Sequence, residues 1–245
     1  MQKIIEAEHL VKDYGHARVI NDVSFSVKTG EIYGIVGPDG AGKTTAVRLV
    51  SGIIDVTSGE IKLGGFNIKK DLEKARNIIG YMPQRFSLYE DLSVAENIEF
   101  FADIYGVSSA DRKKRIEELY GFSHLEKFKD RQAQFLSGGM QKKLALSCAL
   151  INFPKILILD EPTIGVDPLS RQELWEMLLH LNKNSGITIL VTTNYMDEVN
   201  RFDRVAMVYK GKFISEEIPK DVSARTGKSF EDYFISKIES AGADK

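Results

Sequence analysis

The nine residues GPDGAGKTT, Gly37 to Thr45, constrain this chain more than any other stretch of it. They fit G-x-x-x-x-G-K-[ST] and lie between a strand-like run, IYGIV, and a helix-like run, KTTAVRLV. In that context the stretch reads as a phosphate-cradling loop. Its glycines let successive backbone N–H groups point inward, and the helix that follows adds the positive end of its dipole. Of Gly37, Pro38, Asp39, Gly40, Ala41, Gly42, Lys43, Thr44 and Thr45, two carry specific chemistry. Lys43 is a point charge for β- and γ-phosphates, and the Thr44 hydroxyl is a ligand for Mg²⁺. The alternative, a glycine turn that merely joins strand to helix, is weak with both flanking elements in place.

A second motif, ILILDEPT, complements the first. Asp160 ends an apolar run and can hold Mg²⁺ opposite a phosphate loop. Glu161 follows, placed to polarise an attacking water as a general base. Alone, the pair could as well cap a strand end before Pro162; beside the phosphate loop that reading loses ground.

The rest of the chain alternates strand and helix signals. KIIEAEHLV, VSFSVKTGE and IYGIVG open it, with Gly30 and Glu31 expected to punctuate a hairpin. GEIKLGG and NIIGYMP read as further strands. From about Arg85 to Ile151, LSVAENIEFFADIYG and SADRKKRIEELYGF show helical spacing with charged outer faces, which predicts an inserted helical subdomain. KILILD, GITILVTT and RVAMVYKGKF then return as apolar strands of a mostly parallel sheet, SRQELWEMLLHLNKN completes a βαβ unit, and KSFEDYFISKIES predicts a short terminal helix. The expected division is a core of 1–84 and 152–215, a helical subdomain of 85–151 and a helical tail of 216–245. The 245 residues suit one large α/β domain.

Composition narrows the function classes. Lys plus Arg is 33 and Asp plus Glu is 35, a formal charge of -2, so no basic excess argues for nucleic acid. No apolar run reaches the roughly 18 residues that cross a bilayer, and MQKIIEAEHLVKDYG has no signal-peptide core. With one cysteine, Cys148 in LALSCALI, the expectation is a cytosolic protein with a buried, inert thiol. His9, His16, His124 and His180 show no metal-ligand spacing.

The stretch LSGGMQKKLAL, Leu136 to Leu146, lies close upstream of ILILDEPTIGVDP. The order of phosphate loop, LSGG and D-E-P resembles the nucleotide-binding subunit of an ABC transporter, from about Ile4 to Phe213. The resemblance implies a P-loop NTPase core with an antiparallel β subdomain and an inserted α-helical subdomain, an activity of ATP hydrolysis with Mg²⁺, and a place on the cytoplasmic face of the membrane. It also implies two kinds of partner, integral membrane permease subunits and a second ATPase subunit, the same or different, arranged head to tail. Met140, where glutamine is most familiar, looks like the exporter branch. Lys143 stands where arginine is common, keeping the charge without the guanidinium fork.

Other positions match one at a time. Ser137, Gly138 and Gly139 open a helix and form a second anion site; in the family this closes on ATP held by a partner. Gln84 in GYMPQRF resembles the glutamine that touches Mg²⁺, and Tyr14 in VKDYG the aromatic that stacks on adenine. Asp167 in GVDP resembles the aspartate that reaches the opposite phosphate loop, while Pro168 also reads as a helix-start proline. Phe86, Leu88 and Tyr89 either line a groove for the membrane subunit or pack inside the helical subdomain. FEDYFISKIE resembles the tail of exporter-type ATPases, where it contributes a dimer contact or simply packs on the sheet.

One position breaks the pattern. Asn194, in TILVTTNYMDE, stands where the family has histidine against the γ-phosphate and the attacking water. An asparagine amide donates a hydrogen bond but carries neither charge nor a transferable proton. Three readings stay open: a neutral γ-phosphate contact, a slow site acting mainly as an ATP clamp, and a helix N-cap compatible with either. The expectation is slowed but real hydrolysis, because Glu161 is intact. The rival functions are an ABC ATPase without a membrane partner and a sensor that binds ATP without turnover.

Overall fold

The computed structural model describes residues 2–85 and 88–243. Two long strands come first, β1 (Lys3–Tyr14) and β2 (Ala17–Lys28), followed by β3 (Ile32–Val36) and α1 (Lys43–Val50). Next come β4 (Ser58–Leu63), β5 (Phe66–Asn67), α2 (Leu72–Arg76) and β6 (Ile79–Met82). Three helices form the middle of the chain: α3 (Val94–Ile104), α4 (Ser109–Ser123) and α5 (Gly138–Leu150). The chain then runs through β7 (Ile156–Asp160), α6 (Pro168–Ser185), β8 (Thr188–Thr193), β9 (Arg204–Tyr209), β10 (Lys212–Glu217), α7 (Pro219–Thr226) and α8 (Phe230–Ala243).

These strands make two sheets. One is antiparallel in the order β2-β1-β4-β5; the other has the order β10-β9-β3-β8-β7-β6, parallel from β9 to β6, with β10 antiparallel at its edge. The apolar runs of β3, β7 and β8 are buried throughout because both faces of the parallel sheet are covered. Side chains alternate between two cores. Leu157 and Leu159 join the core under α3, α5 and α6, while Ile156 and Ile158 face the core shared with α1 and the antiparallel sheet.

The expected hairpin at Gly30–Glu31 is not there. The hairpin partner of β2 is β1, and its turn is Gly15–His16, where Tyr14 pairs with Ala17. At Gly30–Glu31 the chain crosses from one sheet to the other. The Glu31 carboxylate accepts from the Lys28 backbone N–H at 2.6 Å and pairs with Arg204 at 3.0 Å, so this turn fastens the two sheets together. The last strand runs to Glu217, two residues past the expected boundary of the core. Beyond it Phe230, Tyr233 and Phe234 of α8 are buried in the larger core, so this helix packs on the body of the molecule.

Helix ends are specified by local chemistry. Ser93 and Glu96 form a reciprocal capping box at α3. Asp167 caps α6 by accepting from the Ser170 N–H at 3.0 Å, Pro168 occupies its first turn, and Gly186 closes it in the left-handed region. Among the described residues no helix is long and apolar enough to cross a membrane.

Candidate active site

Strand β3 ends at Val36 and α1 begins at Lys43, so the GPDGAGKTT turn lies at the carboxyl edge of the parallel sheet, where ligands of open α/β folds bind. Its shape depends on close packing. A Cβ on Gly37 would lie 2.3 Å from the Val208 carbonyl oxygen, so only glycine lets the loop lie against β9. The turn between β9 and β10 supports it from outside, with the Gly211 N–H donating to the Ala41 carbonyl at 2.9 Å.

The loop opens on a pocket of ≈ 230 Å³ lined by Val19, Asp39, Gly40, Gly42, Lys43, Thr44, Thr45, Gln84 and Glu161. Lys43 is 4% exposed and donates to the Gly37 carbonyl at 2.8 Å and the Pro38 carbonyl at 3.2 Å. Its ammonium also meets Glu161 Oε1 at 3.2 Å, and Gln84 Nε2 donates to the other Glu161 oxygen at 2.9 Å. The carboxylate of Glu161 is thus held between a cation and an amide donor. Its backbone sits at φ 48, a left-handed conformation that is strained for a residue with a Cβ. The Glu161 N–H donates to the Thr192 hydroxyl at 2.9 Å, which holds that strained turn.

Asp160 lies one residue back and is fully buried. Its Oδ1 accepts from Thr44 at 3.0 Å and from Thr192 at 2.9 Å, while Oδ2 is buried with no hydrogen-bond partner. Burial raises the Asp160 pKa, opposed by the two hydroxyl donors. A carboxylate with one oxygen unpartnered and the other bonded to Thr44, a pocket-lining hydroxyl, supplies oxygen donors of the kind a hard divalent cation takes when phosphates and waters complete its shell. Among the described residues no cluster of three carboxylates, histidines or cysteines could hold a metal ion. Asp160, Thr44 and Gln84 could hold a divalent cation that arrives with phosphate.

Other expected residues lie outside this lining. Tyr14 is 48% exposed at the tip of the first hairpin, with the Lys12 ammonium over its ring at 5.0 Å. Ser137 caps α5 through the Met140 N–H, and Gly139 packs against α6, where a Cβ would lie 2.3 Å from Ser170 Oγ and 3.9 Å from Asp167 Oδ2. Ser137, Gly138 and Asp167 are exposed on that second surface. A third region, an apolar groove of ≈ 360 Å³, is lined by Met82, Pro83, Leu88, Phe101, Tyr105 and Cys148 among others. Leu88 packs against the larger core, Tyr89 is 47% exposed and meets Phe100 edge-on, and Phe86 lies outside the described residues. Cys148 is buried and its thiol pKa is pushed up by that burial, as expected for an inert thiol.

Asn194 follows β8 directly. It does not cap the helical turn Met196–Arg201: Tyr195 occupies the cap, with no side-chain bond, and the Tyr195 N–H goes to the Thr193 hydroxyl at 3.0 Å. Its Oδ1 is instead buried without a partner. Sequence reasoning missed Thr192 and Thr193 as site residues. The paired threonines at the end of an apolar strand were the visible signal, but only the strand register shows that one braces Asp160 and the other Glu198, at 2.7 Å. Lys142 was missed as well; it is buried on α5, and that burial lowers its pKa to about 8 against the pull of Glu161.

The model of the ABC transporter family matches residues 20–164, a span that contains the phosphate loop, the LSGG turn and the Asp160–Glu161 pair. The chain belongs to the ABC transporter family. It is 40% identical over 227 residues to the probable multidrug ABC transporter ATP-binding protein YbhF of Escherichia coli, covering 92% of this chain and 39% of that one, so it spans well under half of that relative's length. The linearmycin resistance ATP-binding protein LnrL of Bacillus subtilis is 38% identical over 91% of this chain and 72% of its own. Among solved structures, a dimeric post-hydrolysis state of the ATP-binding cassette MJ0796 bound to ADP and Pi superposes with a TM-score of 0.79 at 27% identity, covering 87% of this chain and 98% of that one. The present chain has the fold and the motif set of an ABC ATP-binding subunit.

Proposed function

We propose that this ABC subunit binds ATP with Mg²⁺ in the pocket between GPDGAGKTT and Glu161 and hydrolyses it to drive an exporter. The observation that carries this reading is the convergence of Lys43, Thr44, Gln84 and Glu161 on one pocket, with Asp160 bonded to Thr44 behind it. Backbone N–H groups from Gly37 to Thr45 cradle the phosphates. Thr44, Asp160 and Gln84 would hold Mg²⁺, which would supply charge neutralisation of the β- and γ-phosphates. Lys43 is shared with Glu161 in this state; a γ-phosphate competes for the ammonium and leaves Glu161 free to accept a proton from water. Asn194 supplies a neutral contact to the γ-phosphate, and Tyr14 stacks on the base.

The exposed surface of Ser137, Gly138 and Asp167, with Gly139 buried beneath it, completes the site of a second ATPase subunit, head to tail, and the groove beside Leu88 receives a membrane permease. Support comes from the dimeric state of MJ0796 and from the multidrug and resistance names of the relatives. On this reading the chain is cytoplasmic and peripheral on the membrane, with 1–84 and 152–215 as ATPase core, 85–151 as the helical subdomain and 216–245 as tail. Glu161→Gln tests the chemistry. It should retain ATP binding by calorimetry while phosphate release falls at least about 100-fold; turnover that survives the substitution would show that Glu161 is not the base.

A further inference from the structure

The phosphate cradle carries a charge that none of the steps above uses. Asp39 lines the same pocket, its side chain is 89% exposed, and its Oδ1 stands 3.9 Å from the Lys43 ammonium. Asp160 and Glu161 each have work to do, a divalent cation and a water. Asp39 has no comparable task. Of the charged side chains in the pocket lining, Lys43 is the cation and Asp39 and Glu161 are anions, so the lining carries one more negative than positive charge before any phosphate enters. Loop N–H groups and the α1 dipole offset this for a bound polyanion, but the Asp39 carboxylate opposes each phosphate charge in proportion to its number.

We propose that Asp39 is a specificity-determining residue that makes the cradle select nucleoside triphosphate in its magnesium complex over the metal-free, more highly charged form. The inference rests on the phosphate-binding role given to the loop above and deepens it. A metal-free triphosphate brings about two more negative charges than its magnesium complex into the pocket that Asp39 lines. At a separation of about 7 Å in water-like surroundings each extra charge costs roughly threefold in affinity, reduced by salt. Because Asp39 is exposed, the selection weakens as ionic strength rises. A residue that merely shaped the loop would affect both nucleotide forms alike.

Calorimetric titration of the full chain at low salt tests this, with ATP in EDTA and ATP in excess MgCl₂ as the two probes. Asp39→Asn should tighten metal-free ATP by about threefold to tenfold more than it tightens the magnesium complex, the factor set by the two extra charges and reduced by salt. Asp39→Glu, which keeps the charge, should keep the wild-type ratio of the two affinities. The ratio difference between wild type and Asp39→Asn should shrink when the titrations are repeated at high salt. Equal shifts for both probes, or loss of binding to both in Asp39→Asn, would overturn the selection. Wild-type protein that binds neither probe would instead overturn the phosphate-site reading itself, and this inference with it.

Discussion

At the scale of single residues, two positions in the site trade stability against chemistry. Asp160 is fully buried, carries an unpaired oxygen and has its pKa raised above the ordinary carboxylate value, first by burial. A raised carboxylate pKa means the folded state holds its proton longer than the unfolded chain does. Asp160 therefore favours folding most below the unfolded pKa and costs stability progressively as pH rises through the folded one. Asp160→Asn should accordingly stabilise the metal-free, nucleotide-free protein at neutral pH by on the order of 1 kcal/mol, read as a higher denaturant midpoint, while abolishing the effect of Mg²⁺ on ATP affinity. An unchanged or lower midpoint would mean that burial of the charge is already compensated. Asn194 is the other position. Its amide can donate to phosphate but cannot take a proton, and its Oδ1 is buried without a partner. Single-turnover hydrolysis should be faster in Asn194→His by about tenfold or more, within the range of one general acid–base group; equal rates would show that the asparagine does not slow the chemistry.

At the scale of elements, glycines set which helix can lie on which strand. Gly80 sits inside β6, and a Cβ there would lie 2.2 Å from the Ala149 carbonyl oxygen of α5. This contact is how the helix bearing the LSGG turn is seated on the sheet. Gly121, in α4, faces open space. Gly80→Ala should destabilise the chain by about 2 kcal/mol or more, whereas Gly121→Ala should stabilise it by about 0.5–1 kcal/mol through helix propensity. Urea midpoints of the two variants check the contrast, and a neutral Gly80→Ala would mean that α5 is not held to β6 by close backbone approach. NIIGYMP is legible as a strand from its apolar content, yet nothing in those letters distinguishes a packing glycine from a tolerated one. Gly30 and Glu31 show the same limit: a turn is legible there, but whether it reverses into a hairpin or crosses between sheets depends on Arg204, 173 residues away along the chain.

At the scale of the whole molecule, the parallel sheet is the organising object. Its strands send alternate side chains into two cores, one beneath α3, α5 and α6, the other shared with α1 and the antiparallel sheet. This arrangement gathers Lys43, Gln84 and Glu161 from three separate elements onto one edge of the sheet. By itself the sequence determined the local chemistry: the phosphate loop, the Asp160–Glu161 pair, the LSGG helix start and the anomaly at Asn194, because each is written in contiguous residues whose spacing is set by one turn. Only the tertiary structure decided how they act together. Thr192 braces Asp160 and the backbone of Glu161, Lys43 is shared between Glu161 and two loop carbonyls, and Asp39 stands 3.9 Å from the same Lys43 ammonium. The long-range relations follow from strand register and from burial, which bring Thr192 to the Asp160–Glu161 pair and bring together groups as distant as Lys43 and Glu161 or Thr44 and Asp160.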